Sequence, residues 1–152
     1  MGVNSSGHSP FKHIIGRKPF CIGPDHDVYL RRWWVIPKNK WFNIYLHNFF
    51  RSDDDRALHD HPWWNVSILL RGEYKEHTRQ RIYLRRAPVV VFRSAVCAHR
   101  IELTTNGGSV WTLFITGPKI RDWGFLCPNG WRHWSKFVSL RAGGNDIGPG
   151  CE

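Results

Sequence analysis

The feature that most limits the fold is a succession of short runs rich in β-branched and aromatic residues, each closed by turn residues. "VYLRRWWVI", "WFNIYLHNFFR", "WWNVSILLR", "EYKEHT", "RIYLRR", "VVVFRS", "CAHRIEL" and "SVWTLFITG" follow one another, with breaks at "PKNK", Gly72, Ala87-Pro88 and "TTNGG". No helical pattern separates these runs, which removes the βαβ unit and leaves antiparallel pairing. The expected class is all-β: an antiparallel sandwich, jelly roll or barrel.

Several runs are apolar on both parities, for example Phe42, Ile44 and Leu46 against Trp41, Tyr45 and Phe49. A sheet apolar on both faces needs a second layer, a terminal extension or a partner subunit, so a homodimer is expected. With 152 residues, 41% of them apolar, the chain can fill one core. Residues 1–26, rich in Gly, Ser and Pro, read as a loose leader, and residues 27–152 as a single domain ordered from near Val28. In the tail, "WGFLCPNGWRHWSKFVSL" places Trp123, Trp131 and Trp134 around a Pro-Asn-Gly turn. It is expected to cap the open end of the barrel, partly as a short amphipathic helix.

The longest apolar runs are too short to cross a bilayer, and the N-terminus has no apolar stretch of the kind found in secretion signals. A soluble cytoplasmic protein is expected, although "MGVNSS" fits the loose acylation pattern at Gly2. Cys21, Cys97, Cys127 and Cys151 show no CxxC spacing, so reduced thiols are expected. The formal charge of +10 favours anionic partners, a small acid or nucleic acid. Arg71, Lys75, Arg79, Arg81, Arg85 and Arg86 are candidates for a positive patch.

"LHDHPWW" holds the chemistry. On a strand, alternate residues share a face, so His59 and His61 point the same way, and Asn65 with them if no bulge intervenes. Two imidazoles on one side can chelate one ion and need a third donor from elsewhere. In "CAHRIEL" the charged parity, Arg100 and Glu102, belongs in water, which turns His99 inward with Cys97, Ile101 and Leu103. The "SDDD" stretch reads as a solvated turn, though Asp53, Asp54, Asp55 and Asp60 are also available to orient histidine rings.

"HDHPWWNVSILLRG" resembles the first motif of the cupins, with His59, His61, Asn65 and Gly72 on its ligand and glycine positions. His99 falls where the second cupin motif has its histidine, with residues 73–87 between the two motifs. The resemblance implies a cupin-type jelly roll with one divalent transition metal, Fe(II) foremost and Zn, Ni or Mn as alternatives. Its metal ligands would be His59, His61, His99 and Asn65. Asn65 stands where the pattern has an acid, so the nearer analogy is the three-histidine site of thiol dioxygenases.

On the strand after the HxH motif, Tyr74, Glu76 and His77 are candidate proton-handling groups, and at most one of Glu76 and His77 can face inward. The leading reading is a metal-dependent, dioxygenase-like enzyme acting on a small anionic molecule. Two others stand beside it. One is a non-catalytic cupin-like module binding a small ligand or nucleic acid; the other is a metal-free jelly roll resembling sugar-nucleotide epimerases and isomerases.

Overall fold

A computed structural model describes residues 12–23, 27–53, 56–104, 109–138 and 148–152. Gly2, His8, His26, Asp54, Asp55, Gly107 and Gly108 lie outside the described residues. The elements are α1 (Lys12–Ile15), β1 (Phe20–Ile22), β2 (Leu30–Trp34), β3 (Asn43–Phe49), β4 (Leu58–His59), β5 (Asn65–Arg71) and β6 (Glu73–Thr78). They continue as β7 (Ile82–Arg86), β8 (Val89–Arg93), β9 (His99–Leu103), β10 (Val110–Thr116), β11 (Gly124–Cys127), β12 (Gly130–His133) and α2 (Trp134–Phe137). The strands form two six-stranded antiparallel sheets, ordered β1-β2-β3-β10-β5-β8 and β12-β11-β4-β9-β6-β7. The expected jelly roll is what the chain forms.

Register explains which side chains meet. Leu30, Phe49, Val110, Leu69 and Val89 lie side by side across the first sheet. Facing them, Tyr74 pairs with Leu103 in the second sheet. Together these residues close one end of the barrel as an apolar core. Farther along the same inner faces the side chains become polar: Arg32, His47, Thr112, Asn65, Arg93, Glu76 and His99. The interior is therefore apolar at one end and polar at the other. Gly72 makes the β5–β6 turn with φ of 88°, a left-handed conformation that a side chain would strain.

The strand expectations hold for β2, β3 and β5 to β10. Three differences stand out. Phe20–Ile22, assigned to the leader, pairs with β2 and extends the first sheet. Leu58–His59, assigned to a loop, forms β4 between β9 and β11. Cys127 and Cys151, expected as thiols, form a disulfide that ties the C-terminus to β11, whereas Cys21 and Cys97 are free.

The tail does form a cap. The β11–β12 hairpin and α2 enclose a second small core in which the Phe125 and Phe137 rings stack at 3.6 Å. Among the described residues no helix is long and apolar enough to cross a membrane.

Candidate metal centre

β4 and β9 run antiparallel with His59 directly opposite His99. His61 lies two residues beyond His59, and its amide is held by the carbonyl of Ala95 at 3.1 Å. Between them Asp60 turns the other way and is buried. Its carboxylate accepts from the Gly124 amide at 2.8 Å and from Trp131 Nε1 at 2.9 Å, and pairs with Arg121 at 2.7 Å. Anchoring Asp60 in the cap fixes the alternation that sends both histidines into the barrel.

The three rings stand in a nearly equilateral triangle, 5.1 Å from His59 to His61, 5.1 Å from His59 to His99 and 5.2 Å from His61 to His99. One nitrogen from each lies within 4.8 Å of the others. Nε2 of His61 and Nε2 of His99 face each other at 3.0 Å. Trp63 stacks on His61 at 4.9 Å, and Trp123 and Phe125 flank His59, so aromatic rings wall the group.

Burial keeps His61 and His99 neutral, the form that ligates. Burial lowers His99 to about 4, against the opposing pull of Glu76. Burial and the neighbouring His59 and His99 hold His61 well below the ordinary histidine range. Nδ1 of His99 sits 3.0 Å from Oε1 of Glu76, a contact off the line of a well-formed hydrogen bond. Asp53 Oδ2 stands 3.9 Å from Nδ1 of His59 and is itself tied to Tyr29 and to the amide of Ile101. Carboxylates behind the rings are what orient histidines for a metal.

Glu76 is nearly fully buried. Its Oε1 takes Nε of Arg93 at 2.5 Å and its Oε2 takes Nε of Arg85 at 2.8 Å. Burial opposes its ionisation, but the contacts from His99 and Arg93 prevail and hold it well below the usual carboxylate range. Tyr74 is wholly buried, with its hydroxyl 3.5 Å from Nη2 of Arg93. Asn65, also wholly buried, receives Nη1 of Arg93 at 3.4 Å on its carbonyl oxygen, while its Nδ2 has no partner.

His77 is on the opposite face of the second sheet from Glu76 and His99. There it contacts Glu102 at 2.6 Å and Arg100 at 3.3 Å. Its expected place beside the site is corrected by the parity of β6. Asp53, expected in a solvated turn, is a buried acid behind His59, and Asp60, offered as a ring-orienting acid, is buried against Arg121 in the cap. Arg93, Trp63 and Arg121 were missed altogether.

Two predictions follow from this geometry. A Cβ on Gly124 would lie 2.2 Å from the Arg132 carbonyl oxygen and 2.8 Å from the Trp131 ring. Gly124→Ala should therefore cost about 1–3 kcal/mol of stability in urea unfolding, because backbone on β12 cannot yield cheaply.

The second concerns pH. His47, His61 and His99 are all lowered in the folded chain, so the unfolded chain binds more protons between the ordinary histidine pKa and the folded values. Chelator-treated protein should lose stability steadily as pH falls from roughly 6.5 towards 4 in thermal unfolding. A flat profile across that range would contradict the buried neutral assignment.

No protein-family model matches the chain, and no curated protein matches it by sequence. Solved structures do match. Iron(II) HppE superposes with a TM-score of 0.55 at 13% identity, covering 67% of this chain and 57% of that one. A predicted oxalate decarboxylase from Thermotoga maritima gives 0.56 at 18% identity, covering 69% of this chain and 96% of that one. A cupin-2 domain from Rhodospirillum rubrum gives 0.54 at 10% identity, covering 68% and 70%. The fold is that of the cupins, the double-stranded β-helix, and a cluster of three histidines that fits a metal site lies inside it.

Proposed function

We propose that the chain is a mononuclear metal-binding cupin that converts a small anionic molecule, with His59, His61 and His99 as the metal ligands. The observation that carries this reading is the triangle of imidazoles with converging nitrogens. A divalent metal held there, iron(II) foremost and zinc, nickel or manganese as alternatives, would supply open positions for a substrate donor atom and for dioxygen or water.

The chain's own residues do the remaining work. Glu76 stands against Nδ1 of His99, and Asp53 lies behind Nδ1 of His59 at longer range, leaving the other nitrogen of each ring to ligate. Arg93 balances Glu76 and reaches Asn65 and Tyr74, so Asn65 and Tyr74 act as positioning residues rather than as ligand and acid. Trp63, Trp123 and Phe125 shield the site from bulk water.

Of the basic patch, Lys75, Arg85 and Arg86 are paired with Glu102, Glu76 and Glu73, which weakens the nucleic-acid alternative. On the outer face of the first sheet, Leu70, Val90 and Phe92 are exposed apolar residues, which supports a homodimer.

Dioxygen uptake by iron(II)-loaded, tag-free protein against a panel of small acids tests the reading. Consumption that depends on iron and substrate and stops on chelation is expected. Turnover that survives chelation would overturn it in favour of a metal-free isomerase.

A further inference from the structure

The interior of the barrel holds a second arginine, and it is unlike the first. Arg93 has Glu76 to balance it. Arg32 on β2 stands opposite His47 on β3, on the same inner face as Thr112 of β10. Its Nε donates to Nε2 of His47 at 2.9 Å, and its guanidinium carbon lies 4.7 Å from the centre of the Tyr45 ring. Among the described residues no carboxylate contacts it.

His47 cannot supply the missing charge. Burial and then Arg32 itself hold it well below the ordinary histidine range, so it is a neutral acceptor. Burial also lowers Arg32, the mark of a cation withdrawn from water. An unpaired charge in such a place is strongly unfavourable unless something outside the chain completes it.

The surroundings are those of a polar binding site. On the same inner face of the first sheet, Thr112 Oγ1, Thr116 Oγ1, Trp34 Nε1 and Asn65 Nδ2 are buried without hydrogen-bond partners. Native interiors leave few such groups, and each one needs an explanation. Phe114 links this region to the histidine triangle: its ring is 5.2 Å from that of His47 and 6.3 Å from that of His61. The two regions are thus one aromatic ring apart along the barrel.

We propose that Arg32, with Tyr45 beside it and Thr112 on the far side of His47, binds the carboxylate of a short-chain acid whose second donor group points along Phe114 towards His59, His61 and His99. The planar fork of a guanidinium, with one edge already spent on His47, still offers two terminal nitrogens to a carboxylate. A lysine could not reproduce that fork. The inference rests on the metal reading only for the far end of the ligand; the anion site stands on Arg32 itself.

The test uses chelator-treated, tag-free protein, with sodium acetate as the carboxylate probe, acetamide as its neutral counterpart and inorganic phosphate as a tetrahedral anion. Binding is followed by calorimetric titration and by the shift in unfolding temperature. Acetate should bind saturably and raise the unfolding temperature, and acetamide should not. Arg32→Gln should weaken acetate at least about 10-fold, the scale of a lost charged hydrogen bond. Arg32→Lys should weaken it by a smaller factor.

Arg32→Met should unfold at a higher temperature than the wild type without ligand, since it removes a half-buried charge that no carboxylate balances, and should show no acetate response. Equal acetate affinity in wild type and Arg32→Gln overturns the proposal. Arg32-dependent binding of phosphate without binding of acetate overturns the carboxylate assignment. Metal uptake by the same preparations on re-exposure to iron(II) separates the two readings. Wild type that loads metal but ignores acetate refutes only the anion site, and acetate binding without metal loading refutes only the metal centre.

Discussion

His99→Ala is expected to reduce metal affinity by more than about 100-fold while leaving the fold intact, beyond the 10- to 100-fold that losing an outer partner costs. His99 is the ligand contributed by a separate strand. His59 and His61 are two residues apart and arrive together, and without β9 they form an open two-nitrogen clip. The measurement is competition for the ion against a chelator of known affinity, alongside circular dichroism. His77→Ala is the matched control, because His77 sits on the opposite face against Glu102 and should leave metal binding unchanged.

Glu76→Gln is expected to be the most destabilising single change, costing about 3–5 kcal/mol in denaturant unfolding. The substitution keeps the shape but strands the buried guanidinium of Arg93 and removes the carboxylate behind His99. Replacing Glu76 and Arg93 together by apolar residues of similar volume should cost less than either alone, since the pair is far more costly to break than to remove. The pH dependence gives an independent check. The folded carboxylate is depressed, so its stabilisation is fully present above the ordinary glutamate pKa and is lost as pH falls through the folded value. Glu76→Gln should lack that acid-limb loss. The same variant should bind metal about 10- to 100-fold more weakly through the reorientation of His99.

Much of the frame was legible because a half-buried strand writes its orientation into its alternation. In β9 the charged Arg100 and Glu102 marked the outer face and so sent His99 inward. The same logic separated Glu76 from His77 without saying which one was inside; the pairing of Glu76 with Ile101 decides it. Gly72 marked the turn after β5 because the chain needs a left-handed residue there.

Where both parities are apolar, alternation is silent. β8 reads Val89, Val90, Val91, Phe92, Arg93, and the outward residues Val90 and Phe92 are 65% and 66% exposed. Nothing in such a run shows that Arg93 belongs inside. Arg32 was hidden in the same way beside Arg31, in a strand that carries a tryptophan on each parity.

Other features depend on partners remote in sequence. Asp53 and Asp60 look like solvated turn acids until Tyr29 and Arg121 are brought to them by the fold. β4 is two residues long and carries no periodicity of its own; β9 and β11 on either side make it a strand. The Cys127–Cys151 bond closes a tail whose spacing matched no motif.

The central claim is that one transition-metal ion sits among His59, His61 and His99. Elemental analysis of wild-type protein purified without a histidine tag, after exposure to iron(II) and removal of loosely bound ions, tests it directly. About one metal ion per chain is predicted, falling close to zero in His99→Ala. Wild-type protein that retains no stoichiometric metal, or His99→Ala protein that retains as much as wild type, would contradict it.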